Sequence, residues 1–307
     1  MLSSNPIVNQ PLDHPLLEEK GLELSIKRLD LIHELVPGNK FFKLKYNLLK
    51  AQAEDHHTLL TFGGAYSNHI HAVSQAAFAL GMKSIGIIRG EETLPLNPTL
   101  KAATEKGMQL YYVNREDFRK KKDADFIQQL KEKFGEFYLI PEGGTNTEAI
   151  RGTREILSAE DESFTHIGTS IGTAGTFLGL IQSASLGQKI LGFSALKGEF
   201  IHKEVADLSK IFDIDSNTQN QIFTDYHFGG YAKYRQSLID FIWWFFETFG
   251  IILDPIYTGK MLAGIWDLIE KDFFPRGSKI LAIHSGGLQG NEGFTFQTGI
   301  KLPTLSR

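Results

Sequence analysis

Short apolar runs separated by helical stretches recur along most of this 307-residue chain, and that alternation restricts the fold more than any single motif does. Thr58–Phe62, Ser84–Arg89, Gln109–Val113 and Phe137–Ile140 read as strands, with helices near Asn68–Leu80, Asn97–Lys106 and Asp117–Phe134 between them. A second set of strands follows at His166–Ser170, Lys189–Ser194, Gln221–Asp225 and Lys279–His284. Strands that alternate with helices form parallel sheets, because a parallel neighbour is reached only through a right-handed crossover. The expected class is therefore α/β, with two open parallel sheets and helices on both faces. The boundary between the sets is placed near Thr145–Arg151, after Pro141-Glu142-Gly143-Gly144, where a glycine pair can end a strand and turn the chain.

With 42% hydrophobic and 22% charged residues, the chain can bury a sizeable core. A formal net charge of -4 without a long basic run gives no electrostatic footprint for nucleic acid or an anionic membrane. The charge run Arg115–Asp125 reads as a solvated helix face. Zero cysteines exclude disulfides, thiol catalysis and thiolate metal sites, so any sulfur chemistry belongs to the substrate. Met1–Gln10 lacks the basic start and continuous apolar stretch of a signal peptide, and a cytoplasmic location is expected. The most apolar run, Phe241–Leu253, is interrupted by Glu247 and is too short for a bilayer span; a core helix is expected there.

Chemistry enters at three places. Gly38-Asn39-Lys40, with Lys43-Leu44 behind it, offers a candidate amine nucleophile, although an isolated lysine is most often a solvated charge. Ala65-Tyr66-Ser67-Asn68-His69 follows the Gly63-Gly64 turn and opens a helix, where Asn68 can either cap the helix or offer its amide to a ligand. His69 and His71 stand two apart in that helix, a spacing that points them to different faces and argues against a shared metal. Finally, the strand Ile167–Ile171 runs into Gly172-Thr173-Ala174-Gly175-Thr176 at the start of a helix. Small residues, two hydroxyls and unpaired helix N–H groups make that junction a candidate phosphate cradle. No Gly-Lys-Ser/Thr follows, so it is not a Walker loop, and an ordinary tight turn with a capping threonine would satisfy the same residues.

Taken together, these segments resemble the fold-type II pyridoxal-phosphate enzymes of the tryptophan synthase beta superfamily. Gly38-Asn39-Lys40, Ser67-Asn68-His69, Leu253-Asp254-Pro255-Ile256-Tyr257-Thr258-Gly259-Lys260 and Ile283-His284-Ser285-Gly286-Gly287 resemble the branch of D-cysteine desulfhydrases and 1-aminocyclopropane-1-carboxylate (ACC) deaminases. The resemblance implies pyridoxal 5'-phosphate in a cleft between a large domain (1–42 plus 151–307) and a small one (43–150). It implies a small amino-acid substrate and a homodimer. Lys40 would form the Schiff base with the cofactor and move the substrate α-proton; Lys43 and Lys45 are its rivals, as surface charges or phosphate neutralisers. Asn68 would bond the cofactor's phenolic oxygen, and Gly172, Thr173, Ala174, Gly175 and Thr176 would hold its phosphate. Ser285 would face the pyridine nitrogen, where a neutral hydroxyl makes the ring a weaker electron sink than a carboxylate would. Ser67, Tyr257 and Tyr231 would face the substrate as catalytic groups.

Thr258 separates the two activities of the branch. The residue after this tyrosine is typically glutamate in ACC deaminase-like sequences and threonine in desulfhydrase-like ones. The expectation is therefore α,β-elimination from D-cysteine to pyruvate, sulfide and ammonia, with ACC deamination to 2-oxobutyrate as the alternative. Tyr66 stands where both branches usually carry glutamine, and Pro37 where glycine is usual. A β-replacement enzyme would share Lys40 and the cradle, but the segment Tyr257–Lys260 argues against it. A non-catalytic cofactor-binding protein would be expected to lose Lys40, Ser67 or Tyr257, all of which are present.

Overall fold

The computed structural model describes residues 2–214 and 219–304. The chain opens with β1 (Asn9–Leu12), α1 (Pro15–Lys20) and β2 (Glu23–Lys27), then enters α2 (Asn39–Ala53). A first series runs β3 (Thr58–Gly64), α3 (Asn68–Ala79), β4 (Lys83–Arg89), α4 (Pro98–Glu105), β5 (Met108–Val113), α5 (Arg115–Arg119), α6 (Ala124–Phe134) and β6 (Tyr138–Ile140). After α7 (Thr147–Thr153) come β7 (His166–Ile171), α8 (Gly175–Ser183), β8 (Lys189–Ser194), α9 (Phe200–Ile211) and β9 (Gln219–Phe223). The chain ends with α10 (Gln236–Phe249), α11 (Thr258–Glu270), β10 (Lys279–Ile283) and α12 (Gly290–Thr298).

Two sheets result, as the α/β pattern required. The smaller has the order β5-β4-β3-β6 and is parallel throughout. The larger has the order β1-β2-β10-β7-β8-β9. Alternation along the strands explains why both are covered on two faces. In β3, Leu59 joins the large apolar cluster that includes Ile70, Ile88 and Ile140, while its neighbour Leu60 and Phe62 pack with Phe118, Leu130 and Phe137. In β10, Ile280 and Ala282 face Phe245, Ile265 and Trp266 of α10 and α11, whereas Leu281 and Ile283 face Phe177 and Leu178 of α8. Each such side chain contributes about 1.5–3 kcal/mol when fully buried, so the helices are held to the sheets by packing rather than by propensity.

Three expectations need correction, and one helix was not foreseen. The larger sheet is not all parallel: β1 pairs antiparallel with β2. Pro11 within β1 cannot donate to a ladder, and β1 accordingly lies at the edge. The helix expected over Asp117–Phe134 is two helices, α5 and α6, because Lys120, Lys121 and Lys122 provide no apolar anchor between Phe118 and Phe126 and the chain turns there through Lys120 and Asp123. The apolar helix expected over Phe241–Leu253 starts earlier and stops at Gly250, whose left-handed φ of 68° ends it, so Ile251 and Leu253 are buried outside any helix. Finally, Lys40 and Lys43 both sit on α2, a helix that the motif reading had not assigned. The N-terminal strand β2 pairs with β10 in the larger sheet. The division proposed at residues 42 and 43 falls inside α2, and that at 150 and 151 inside α7. Among the described residues no helix is long and apolar enough to cross a membrane.

Candidate active site

Parallel strands aim their carboxyl ends, and the loops that follow them, at one side of a sheet, which is where open α/β sheets bind ligands. Here the loops after β3, β6, β7 and β10 meet the start of α2 around one cavity of about 580 Å3. All eleven residues proposed from the sequence border it: Lys40, Ser67, Asn68, Gly172, Thr173, Ala174, Gly175, Thr176, Tyr231, Tyr257 and Ser285. Tyr66 and Pro37 border it too.

The wall that carries Lys40 is locked to the wall that carries Ser285. Gly38 has φ +76°, and a Cβ there would lie 2.0 Å from the Ser285 carbonyl oxygen, so only glycine permits this approach. The Asn39 N–H donates to that same carbonyl at 3.1 Å. Lys40, half-buried at the cavity, donates to Asn39 Oδ1 at 3.2 Å, and Asn39 Nδ2 donates to Thr176 Oγ1 at 2.8 Å. Burial pulls the Lys40 amine down to about 8, with the Asp254 carboxylate opposing. Only the deprotonated amine is a nucleophile. Capture of pyridoxal phosphate by cofactor-free protein should therefore speed up about tenfold per pH unit below the pKa and level off above about 8. The growth of visible absorbance after mixing measures this, and a flat profile would contradict the assignment.

The sequence left the role of Lys43 open; the structure places its amine against the candidate cradle. One turn further along α2, its Nζ donates to Gly143 O at 2.8 Å, Thr145 Oγ1 at 3.1 Å and Thr173 Oγ1 at 3.1 Å. Burial first, and the charge of Lys40 second, pull its pKa well down, so an anion in this place would restore the ammonium. Beside it, Ala174 adopts a left-handed φ of 56° to turn the chain into α8, whose first N–H groups have no intrahelical acceptor. The Thr176 hydroxyl accepts from Asn39 and so keeps its own proton to donate. Lys45, the other rival, is partnered at the surface by Glu155.

Ser67, rather than Asn68, caps α3: its Oγ accepts from the N–H groups of His69 at 3.2 Å and Ile70 at 3.3 Å. Its proton remains available to the cavity, and the Asn68 amide is left for another partner. Glycines give that amide room, since a Cβ on Gly287 would come within 2.7 Å of Asn68 Nδ2. Ser285 Oγ lies 3.4 Å from Ser170 Oγ. His69 and His71 both border the cavity but turn to different neighbours, Thr61 and Gln75. Burial, then the charges of Lys40 and Lys43, hold His69 well below the usual imidazole range, and burial holds His71 at about 4. Among the described residues no group of three or more metal-ligating side chains occurs.

Asp254 is a residue to which the motif reading gave no role. It is 2% exposed, and its Oδ1 accepts from the N–H groups of Ile256 at 2.8 Å and Tyr257 at 2.7 Å. Its Oδ2 accepts from Thr258 N at 2.9 Å and Thr258 Oγ1 at 2.6 Å. The carboxylate thus caps α11 and fixes Tyr257 at the cavity wall; an Asp followed four residues later by Thr at a helix start was the available signal. Burial, followed by the neighbouring Tyr231, raises the Tyr257 phenol well above its usual value, so it carries its proton at neutral pH. The Tyr231 ring lies 6.2 Å from that of Tyr257.

An aldehyde-reactive amine, a free amide, a neutral hydroxyl and an anion cradle with a buried lysine make a donor set that fits pyridoxal phosphate. Lys40 would hold its aldehyde carbon, and Lys43, Thr173, Thr176 and the α8 amides its phosphate. Residues 4–286 match the family described as "Pyridoxal-phosphate dependent enzyme". The chain is 31% identical over 304 residues to a protein of Pyrococcus horikoshii provisionally named a 1-aminocyclopropane-1-carboxylate deaminase, covering 94% of this chain and 90% of that one. It is 31% identical over 298 residues to the mitochondrial bifunctional D-cysteine desulfhydrase/1-aminocyclopropane-1-carboxylate deaminase of Arabidopsis thaliana, covering 88% and 73%. A crystal structure described as an ACC deaminase homologue superposes with a TM-score of 0.80 at 30% identity, covering 97% of this chain and 92% of that one. With the matching fold, these similarities lead to one conclusion: the chain belongs to the fold-type II pyridoxal-phosphate-dependent enzymes, in the family of D-cysteine desulfhydrases and ACC deaminases.

Proposed function

We propose that this protein is a D-cysteine desulfhydrase, converting D-cysteine and water to pyruvate, hydrogen sulfide and ammonia. The observation that carries the reading is Thr258. Its hydroxyl is fully buried and both donates to Asp254 Oδ2 and accepts from the Asp254 N–H, so it completes the cap that sets Tyr257. An ionised glutamate, usual here in ACC deaminase-like sequences, could not donate to that carboxylate.

When bound, the cofactor supplies an electron-withdrawing ring that acidifies the substrate's α C–H. The chain's own residues do the rest. The Lys40 amine takes the α-proton, the low pKa set by burial keeping enough of it deprotonated. The protonated Tyr257 phenol gives a proton to the departing sulfur. Ser67 donates its hydroxyl to the substrate carboxylate. Ser285 offers the ring nitrogen a neutral partner, which favours elimination over transamination.

The second reading, ACC deamination to 2-oxobutyrate and ammonia, is favoured by the names of the relatives, one of which carries both activities. Incubation with D-cysteine and with ACC in separate tubes, with keto acid and sulfide measured in each, decides between the two. Pyruvate with sulfide from D-cysteine alone is the expected result; 2-oxobutyrate from ACC without sulfide release from D-cysteine would overturn it. A homodimer in the cytoplasm completes the proposal, and light scattering of the purified protein tests the assembly.

A further inference from the structure

Lys260 lies in the first turn of α11, 2% exposed, and does not border the cavity. No step above uses it. An ammonium taken out of water persists only where it is paired or bonded, so its partners indicate its work. Its Nζ donates to the backbone carbonyl of Gly230 at 2.7 Å. Burial lowers its pKa to about 8 and the Asp254 carboxylate opposes the shift, so the charge survives at neutral pH.

Gly230 stands in the middle of the turn that joins β9 to α10, and this turn is unusual. Phe228, Gly229, Gly230 and Ala232 have φ of +50°, +107°, +115° and +54°. Left-handed conformations at non-glycine residues persist only where the surroundings hold them. The bonds from Gly230 N to His227 O, Lys233 N to Gly230 O and Gly229 N to His227 Nδ1 are internal to the turn. Its ends are tied outward, by the Tyr226 hydroxyl to Asp267 at 2.6 Å and by the Tyr234 ring against Phe294 at 5.1 Å. Its middle is tied by Lys260. The next residue is Tyr231, whose ring, 44% exposed, stands beside Tyr257 at the cavity.

We infer that Lys260 is a positioning residue: its ammonium clamps the Gly230 carbonyl and so holds the left-handed turn that presents Tyr231, next to Tyr257, to the substrate. The inference rests on the reading of Tyr231 as a substrate-facing group. Asp254 thereby organises both phenols, Tyr257 through the cap of α11 and Tyr231 through the charge it sustains on Lys260.

The test uses the enzyme with its cofactor bound and the variant Lys260→Met, which keeps the stem and removes the charge. Hydrogen exchange read by mass spectrometry should speed up at least about tenfold in the peptide spanning 226–235, with α2, the 172–176 cradle and the cofactor absorbance unchanged. Turnover should fall about 10- to 100-fold through kcat, as expected for a misplaced catalytic group. Tyr231→Phe, costly in the parent enzyme, should cost nothing further in the Lys260→Met background. Unchanged exchange in 226–235, or losses that multiply in full, would overturn the inference. Because the chain has no cysteine, Lys260→Cys alkylated with 2-bromoethylamine while unfolded and then refolded restores an amine at this position alone. Return of slow exchange on alkylation supports the clamp, and its failure to return counts against it, even where Lys260→Met does not fold. Exchange needs no substrate, so a loosened turn in an enzyme inert toward D-cysteine and ACC would leave the clamp standing and sink only the proposed substrates.

Discussion

Lys40→Ala should abolish the visible absorbance of the bound cofactor and lower turnover by about 10^3-fold or more, since the variant loses both the cofactor's covalent anchor and the base at the α-carbon. Lys43 is the control that makes the result specific. It is a buried lysine, one helical turn away and bonded to Thr145 and Thr173. Reduction of the parent holoenzyme with borohydride, followed by peptide mapping, should place the cofactor on Lys40, with no label moving to Lys43 in the variant. A variant that kept both absorbance and turnover would show that the amine had been assigned to the wrong residue.

Asp254→Ala should cost about 3 kcal/mol or more of stability, because it leaves three backbone N–H groups and a hydroxyl at the start of α11 without their acceptor in a buried place. Urea titration should show a lower midpoint at unchanged slope. A second effect distinguishes this from loss of a simple cap. Asp254 raises the pKa of Lys40 against the pull of burial, so without it the Lys40 pKa falls further. The pH midpoint for cofactor capture should then move below about 8, the value set in the parent protein. A stable variant with an unshifted midpoint would mean that Asp254 neither caps α11 nor acts on Lys40.

How much of this was legible in the sequence depends on range. β7, the cradle and α8 form one local unit, and their residues could be read in order as strand, small-residue turn and helix. The same holds for β3, the Gly63-Gly64 turn and α3. Resemblance then assembled those units into a candidate site, and every residue it proposed as catalytic or cofactor-binding borders the cavity. What failed was also local in cause. Three consecutive lysines split an expected helix, a single glycine ended another early, and a proline-bearing edge strand ran the opposite way.

By itself the sequence determined the α/β class and most of the order of strands and helices, because these depend on periodicity within a few residues; the small-residue junction was legible as a candidate cradle, and Lys40 was proposed through the resemblance. Only the tertiary structure showed which lysine lies against the candidate cradle, why Gly38 must be glycine, that Ser67 and not Asn68 is the cap, and that Lys260 bonds the Gly230 carbonyl in the turn before Tyr231. Those depend on contacts between segments far apart in the chain: α2 against the loops after β6, β7 and β10, and α11 against the turn after β9. The packing of the sheets and helices brings these segments together, and no local pattern records where a distant carbonyl or hydroxyl will come to lie.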